Sequence, residues 1–216
     1  VKFYRPERWT DEAINEEHEF TQTLLDEELS VVAPMALAET GSGSRTLVQH
    51  NGFRFAVFAR QGGHPPNLEN LDDLEVLCRT IARMHAVGAR QSFSQRPQIN
   101  AQRFGHDSRN FLLENNFLPP EMESAYASVS EHLLQRITPL LQDAPNIRIH
   151  GDCHMGNILW RDQVPHFVDF DDCMMGPPIQ DLWMLLSGAR YDQTGQLATI
   201  LDAYTDFYPF DVGTLH

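Results

Sequence analysis

The sequence predicts an α+β fold in two lobes, a small strand-containing lobe over residues 1–62 and a larger, mainly helical lobe over residues 63–216. Three observations predict it. Asn51-Gly52 joins two β-patterned runs, residues 46–49 and 53–59, and this pair accepts the positive φ that a tight hairpin turn requires. Residues 71–89 and 120–142 carry apolar side chains at spacings of three and four over lengths typical of helices. Residues 61–67, between the strands and these helices, are rich in Gly and Pro, as connectors between lobes are.

The individual elements follow from local chemistry. Residues 1–4 alternate apolar and polar, and Pro6 with Arg5, Glu7 and Arg8 ends that strand. Thr10 before acidic residues reads as an N-cap, and the helix it opens runs to about Leu25, with Ala13, Ile14, Phe20, Leu24 and Leu25 on one face. Residues 31–40 read as irregular or extended, and Gly41-Ser42-Gly43-Ser44 as a flexible turn, because no helix start follows to make it a phosphate loop. In the second lobe Leu74, Leu77, Ile81, Met84 and His85 share one helical face, and Met122, Tyr126, Val129, Leu133 and Ile137 share another. A short helix is expected within residues 104–118. Trp160, Phe167 and Trp183 are expected in the core.

Composition excludes several classes of function. The 216 residues carry 30 Asp plus Glu against 16 Lys plus Arg, a net charge of −14, so nucleic-acid backbones and anionic membranes are poor partners. With 42% hydrophobic residues the chain can bury a core. The longest apolar stretch, residues 31–38, is too short to cross a bilayer and is broken by Pro34. Three cysteines without close pairing fit a reducing cytoplasm better than a disulfide framework. The chain opens on Val1 rather than Met, without the apolar run of a signal peptide.

Polar groups concentrate in residues 147–172. Two apolar runs flank a turn-prone Arg161-Asp162-Gln163-Val164-Pro165, which predicts a hairpin; with the turn centred on Gln163, Asn157 falls directly opposite Asp169. Cβ atoms of such cross-strand neighbours lie about 5 Å apart, close enough to share one ion. An amide oxygen and a carboxylate are hard donors suited to Mg²⁺. Asp152, five residues before Asn157, is then free to orient a hydroxyl nucleophile. A zinc cluster of His150, Asp152, Cys153 and His154 is the competing reading, weakened because Gly151 and Gly156 argue against the helix that would align the histidines. Asp171 and Asp172 read as caps, solvated charges or ligands of a second ion.

The run His150-Gly151-Asp152-Cys153-His154-Met155-Gly156-Asn157, followed by Val168-Asp169-Phe170-Asp171-Asp172, resembles the signature of the aminoglycoside phosphotransferase and choline kinase superfamily, which shares the bilobal protein-kinase fold. The resemblance implies a catalytic β-hairpin in the helical lobe, Asp152 as catalytic residue, and Asn157 and Asp169 as Mg²⁺ ligands. It implies that Lys2 holds the α- and β-phosphates of ATP with Glu17 as helix partner, Glu16 and Glu19 remaining open. It places residues 58–63, with Phe58 and Arg60, at the hinge that meets adenine, His150 as a prop of the loop, and Asp181 as its anchor. A Gly-rich phosphate loop ahead of Lys2 and helices beyond His216 are further implied, so the 216 residues read as cut at both ends and the first lobe as partial.

The expected function is an ATP- and Mg²⁺-dependent Ser/Thr protein kinase of the bacterial stress response, a cytoplasmic monomer acting on a protein or, alternatively, on a small alcohol. A catalytically weak pseudokinase is the third reading.

Overall fold

The computed structural model describes residues 1–40 and 43–215. Strands β1 (Lys2–Phe3), β4 (Val48–His50) and β5 (Phe53–Ala56) form an antiparallel sheet in the order β1-β5-β4, with Lys2 paired to Ala56. The β4–β5 turn is the expected one, with φ of 49° at Asn51 and 81° at Gly52. Strands β2 (Ala38–Thr40) and β3 (Gly43–Arg45) pair antiparallel. The expected flexible turn falls partly on residues 41 and 42, outside the described residues.

Helix α1 (Asp11–Asp26) starts at Thr10, whose backbone is extended and whose side-chain oxygen accepts Ala13 N–H at 3.2 Å. That cap is worth about 1 kcal/mol. The helix serves two cores. Ile14 packs with Tyr4 and Ala56 in a small one that Trp9, Leu47 and Phe58 border. Phe20 and Leu24 enter the large core with helix α2 (Leu71–Gly88). Leu25, expected on the same face, is exposed, and Glu17, His18 and Thr21 are buried in its stead. The buried face is therefore partly polar, which an apolar pattern does not register.

His18 is one of these polar groups. Its ring nitrogens meet Tyr4 Oη and Thr46 Oγ1, each at 2.7 Å. Burial first, then the positive charges of Lys2 and Arg96, bring its pKa down to about 4. An unfolded chain binds this proton near pH 6.5 and the folded one only near 4, so stability is full above 6.5 and is lost as pH falls toward 4. Urea midpoints should fall between pH 7 and pH 5 by the equivalent of about 2 kcal/mol, and less in His18→Gln. Equal falls in both proteins would remove His18 as the cause.

The extended connector after β5 is held by bridges from Phe58 to Pro34 and from His64 to Trp160. Gly63 is required here, because a Cβ would stand 2.9 Å from Leu159 Cβ and 3.0 Å from Trp160 O. Helix α2 follows, capped by Asn70 and burying Leu74, Leu77, Ile81, Met84 and His85 as the pattern predicts. A π-helical turn over Gln102–Asp107 leads into α3 (Ser108–Glu114).

Helix α4 (Pro120–Asp143) has the expected length, yet Met122, Val129 and Leu133 are exposed and Leu134 alone is buried. Periodicity identifies a shared face without saying whether anything covers it. Leu134 is admitted by Gly105, where a Cβ would sit 2.1 Å from Leu134 Cδ2.

Strand β6 (Ile147–Ile149) pairs with β9 (Met174–Gly176), and β7 (Ile158–Arg161) with β8 (Val164–Phe167). Helix α6 (Arg190–Thr205) packs on α2, and α5 (Ile179–Trp183) lies under the loop between β6 and β7. Trp160 and Phe167 are core residues as expected, whereas Trp183 is 51% exposed. Cys78, Cys153 and Cys173 are buried free thiols, and burial pushes all three pKa values up. No helix among the described residues is long and apolar enough to cross a membrane.

Candidate active site

The hairpin register differs from the expectation by one residue. Ile158 pairs with Phe167 and Arg161 with Val164, so the turn is the two residues Asp162 and Gln163, with φ of 51° and 63°. Asn157 consequently stands across from Val168, whose N–H donates to Asn157 O at 3.0 Å, and not across from Asp169. Asp169 lies one step beyond in a left-handed conformation, φ 60° and ψ 65°, which turns the chain out of the ladder.

That turn delivers Asp169 to Lys2 on β1. Lys2 Nζ lies 3.0 Å from Asp169 Oδ1, 3.2 Å from Glu17 Oε1 and 3.2 Å from Asp171 Oδ1. Burial alone would lower the Lys2 pKa, but the charges of Glu17, Asp171 and Asp169 outweigh it and hold the ammonium above its usual value. Burial would likewise raise the Asp169 pKa, yet Lys2 holds it below the carboxylate range. Glu17 is raised, burial dominating over Lys2 and Arg96. Of Glu16, Glu17 and Glu19, it is the expected Glu17 that pairs with Lys2. Glu16 instead accepts the backbone N–H groups of Ser94, Gln95 and Arg96, at 2.6, 2.9 and 3.0 Å.

Lys2, Glu17 and Asp169 line a cavity of about 400 Å³ whose apolar walls include Val32, Phe58, Leu159 and Phe170. Ala59 and Gln61 of the connector also line it, while Arg60 is exposed and is not among the lining residues. A guanidinium without a buried anion prefers water.

The loop between β6 and β7 forms the second cluster. Asn157 Nδ2 donates to Asp152 O at 2.9 Å and to Asp152 Oδ2 at 3.2 Å, and His154 Nε2 lies 3.5 Å from Asp152 Oδ2. Both amide hydrogens of Asn157 thus face Asp152, and its side-chain oxygen is left as an acceptor. Asn157 and the half-exposed Asp169 carboxylate each offer a hard oxygen, the donor type that suits Mg²⁺. The zinc arrangement is not assembled: His150 Nε2 donates to Val168 O at 3.0 Å while Nδ1 accepts Asp152 N–H at 3.3 Å, so both ring nitrogens serve the backbone. Burial lowers the His150 pKa and keeps the ring neutral.

Asp181 holds this loop from below. Fully buried at the start of α5, it accepts His150 N–H and Gly151 N–H, each at 2.8 Å, and His85 Nε2 lies 2.9 Å away. Burial would raise its pKa, but the hydrogen bond and charge of His85 prevail and hold it low. Gly151 has φ 84°, and a Cβ there would stand 2.2 Å from Asp172 O, so no other residue fits.

Three residues of the site carried no sequence signal. Arg8 pairs with Asp171 at 2.8 Å and Asp172 at 2.5 Å, so these carboxylates are ion-paired rather than caps. Trp9 stacks under Arg96, and Arg96 itself lies in a weakly patterned segment. A buried arginine looks like any other arginine until its partners are placed.

The model of a family described as "Phosphotransferase enzyme family" matches residues 1–213. "Stress response kinase A" of Escherichia coli (strain K12) is 42% identical over all 216 residues, and "Serine/threonine protein kinase RdoA" of Salmonella typhimurium (strain LT2) is 39% identical over the same span. The chain spans 64% of the length of each of these relatives. Among solved structures, "Amicoumacin kinase hAmiN in complex with AMP-PNP, Ca2+ and Ami" superposes with a TM-score of 0.74 at 17% identity, covering 94% of this chain and 64% of that one. The "microcompartment-associated aminopropanol kinase" superposes with a TM-score of 0.68 at 16% identity, covering 98% of this chain and 70% of that one. Both likenesses are of fold.

Proposed function

Since the chain belongs to the phosphotransferase enzyme family, we propose that the protein it comes from transfers the γ-phosphoryl group of ATP to a Ser or Thr hydroxyl of a protein substrate. The observation that carries this reading is the Lys2 ammonium held between Glu17 and Asp169 on the wall of the 400 Å³ cavity. A cavity of that size suits a nucleotide. Residues 1–62 would supply part of the first lobe and residues 63–216 the second, with Phe58 and the connector beside the base.

Lys2 would pair with α- and β-phosphate oxygens, exchanging one set of anions for another. Asn157 and Asp169 would hold Mg²⁺, which when bound neutralises charge on the phosphates. Asp152 would accept a hydrogen bond from the acceptor hydroxyl and aim its oxygen at the γ-phosphorus. The new O–P bond forms as the bond to the β-phosphate oxygen breaks, ADP leaves, and the hydroxyl proton passes to Asp152 and on to solvent. Positioning and fixed charge supply most of the rate. The names of the relatives support protein as acceptor and a bacterial stress response as the setting.

The test is transfer of label from Mg-ATP by the full-length protein to a generic Ser/Thr protein acceptor and to a panel of small amino alcohols and aminoglycosides. Labelled protein and unlabelled alcohols support the reading, and the reverse pattern establishes a small-molecule kinase. Lys2→Met should lower kcat/KM for ATP about 10- to 100-fold, the value of one charged hydrogen-bond set. Unchanged ATP kinetics in that variant would overturn the phosphate-binding role.

A further inference from the structure

Arg96 is the most completely engaged side chain near the cavity, and nothing in the family pattern read above assigns it a role. It lies beyond α2, with its side chain fully buried. Its Nε donates to Ala13 O at 2.8 Å and its Nη2 to Glu17 Oε2 at 2.8 Å, both on α1. Its Nη1 donates to Asp171 O at 2.5 Å, on the segment that follows Asp169. Its guanidinium lies 4.5 Å from the centre of the Trp9 ring, which precedes α1. Glu16, one residue before Glu17, accepts the backbone N–H groups of Ser94, Gln95 and Arg96, so two adjacent carboxylates of α1 grip the same segment.

The consequence lies in how Glu17 is divided. Arg96 takes Oε2 and leaves Oε1 toward Lys2. Glu17 is 2% exposed, so without Arg96 its carboxylate would sit in the interior with Lys2 as its one remaining cation, and α1 would lose its tie to the chain beside Asp169. The planar fork of arginine spans three acceptors at fixed angles, which a lysine ammonium does not.

We propose that Arg96 is a positioning residue for phosphoryl transfer: it clamps α1 to the segment after Asp169 and so holds Glu17 where that carboxylate steadies Lys2. The inference rests on the kinase reading given above.

The experiment measures kcat and KM for ATP in the full-length protein for Arg96→Met, Arg96→Lys, Glu17→Gln and the double variant Arg96→Met/Glu17→Gln, with amide hydrogen exchange over residues 13–21. Arg96→Met should lower kcat/KM for ATP about 10- to 100-fold, speed exchange in α1, and leave KM for the acceptor unchanged. The double variant should be no worse than the poorer single, because both changes break one linkage. Arg96→Lys should fall between wild type and Arg96→Met, and it stands in if Arg96→Met does not fold. Wild-type kcat and KM in either Arg96 variant, unchanged exchange in α1, or effects that multiply in the double variant would overturn the proposal. The kinase reading has its own failure, full transfer by Asp152→Asn, which is read independently of Arg96.

Discussion

Replacing Asp152 with Asn is expected to lower phosphoryl transfer about 10²- to 10⁴-fold, the range for removing a positioned acid or base, while Mg-ATP binds nearly as before. Asp152 contacts Asn157 at 3.2 Å, approaches His154 at 3.5 Å and is partly exposed, so an amide of the same shape leaves the loop in place. What is lost is the negative oxygen that would orient the acceptor hydroxyl and take its proton. Lys2, Glu17 and the cavity walls are untouched, so the nucleotide site keeps its charges. Single-turnover transfer of label from ATP measures the first quantity and titration calorimetry with Mg-ATP the second. A variant within about threefold of wild-type turnover would remove Asp152 from the chemistry.

Replacing Asp181 with Ala is expected to cost about 3–5 kcal/mol of stability, the magnitude seen when one member of a buried charged network is removed. Two backbone N–H groups, of His150 and Gly151, and the His85 ring lose their acceptor at once in a fully buried place. Each orphaned buried donor costs about 1–3 kcal/mol. Because the native pKa of Asp181 is held below the unfolded value, its contribution is present at neutral pH and is lost as pH falls through the acid range. Urea unfolding at pH 7 measures the loss, and a change below about 1 kcal/mol would mean that the loop is held by something else. Turnover should fall as well, since the loop anchored by Asp181 carries Asp152.

Much of this molecule was legible in single residues. Asn51-Gly52 announced its hairpin because few residue pairs tolerate two positive φ values. Thr10 announced the start of α1 because a hydroxyl there satisfies an otherwise unpaired N–H. The second hairpin was legible as a hairpin, but its register was not. Its turn is Asp162-Gln163, and glutamine at φ 63° gives no hint that it sits at a position glycine would favour. The one-residue error moved the predicted neighbour of Asn157 from Val168 to Asp169. Leu25 and the exposed face of α4 were misplaced because periodicity reports a face and cover comes from elsewhere in the chain, and Trp183 because an aromatic residue type does not by itself say what covers it. Lys2 and Glu17 were brought forward by resemblance alone. Arg96 was beyond reach, since its partners, Ala13, Glu17 and Asp171, lie 75 or more positions away along the chain.

The burial of all three native thiols has a practical consequence for following motion in this protein. Cys78, Cys153 and Cys173 sit in the interior with their ionisation suppressed, so maleimide or nitroxide reagents at neutral pH find little native thiolate. Cysteines introduced at exposed Glu12, on α1, and exposed Asp202, on α6, would therefore be labelled selectively without first stripping the native ones. A pair of probes at those positions forms a spectroscopic ruler from α1 to α6, able to record whether the two helices draw together when nucleotide is added.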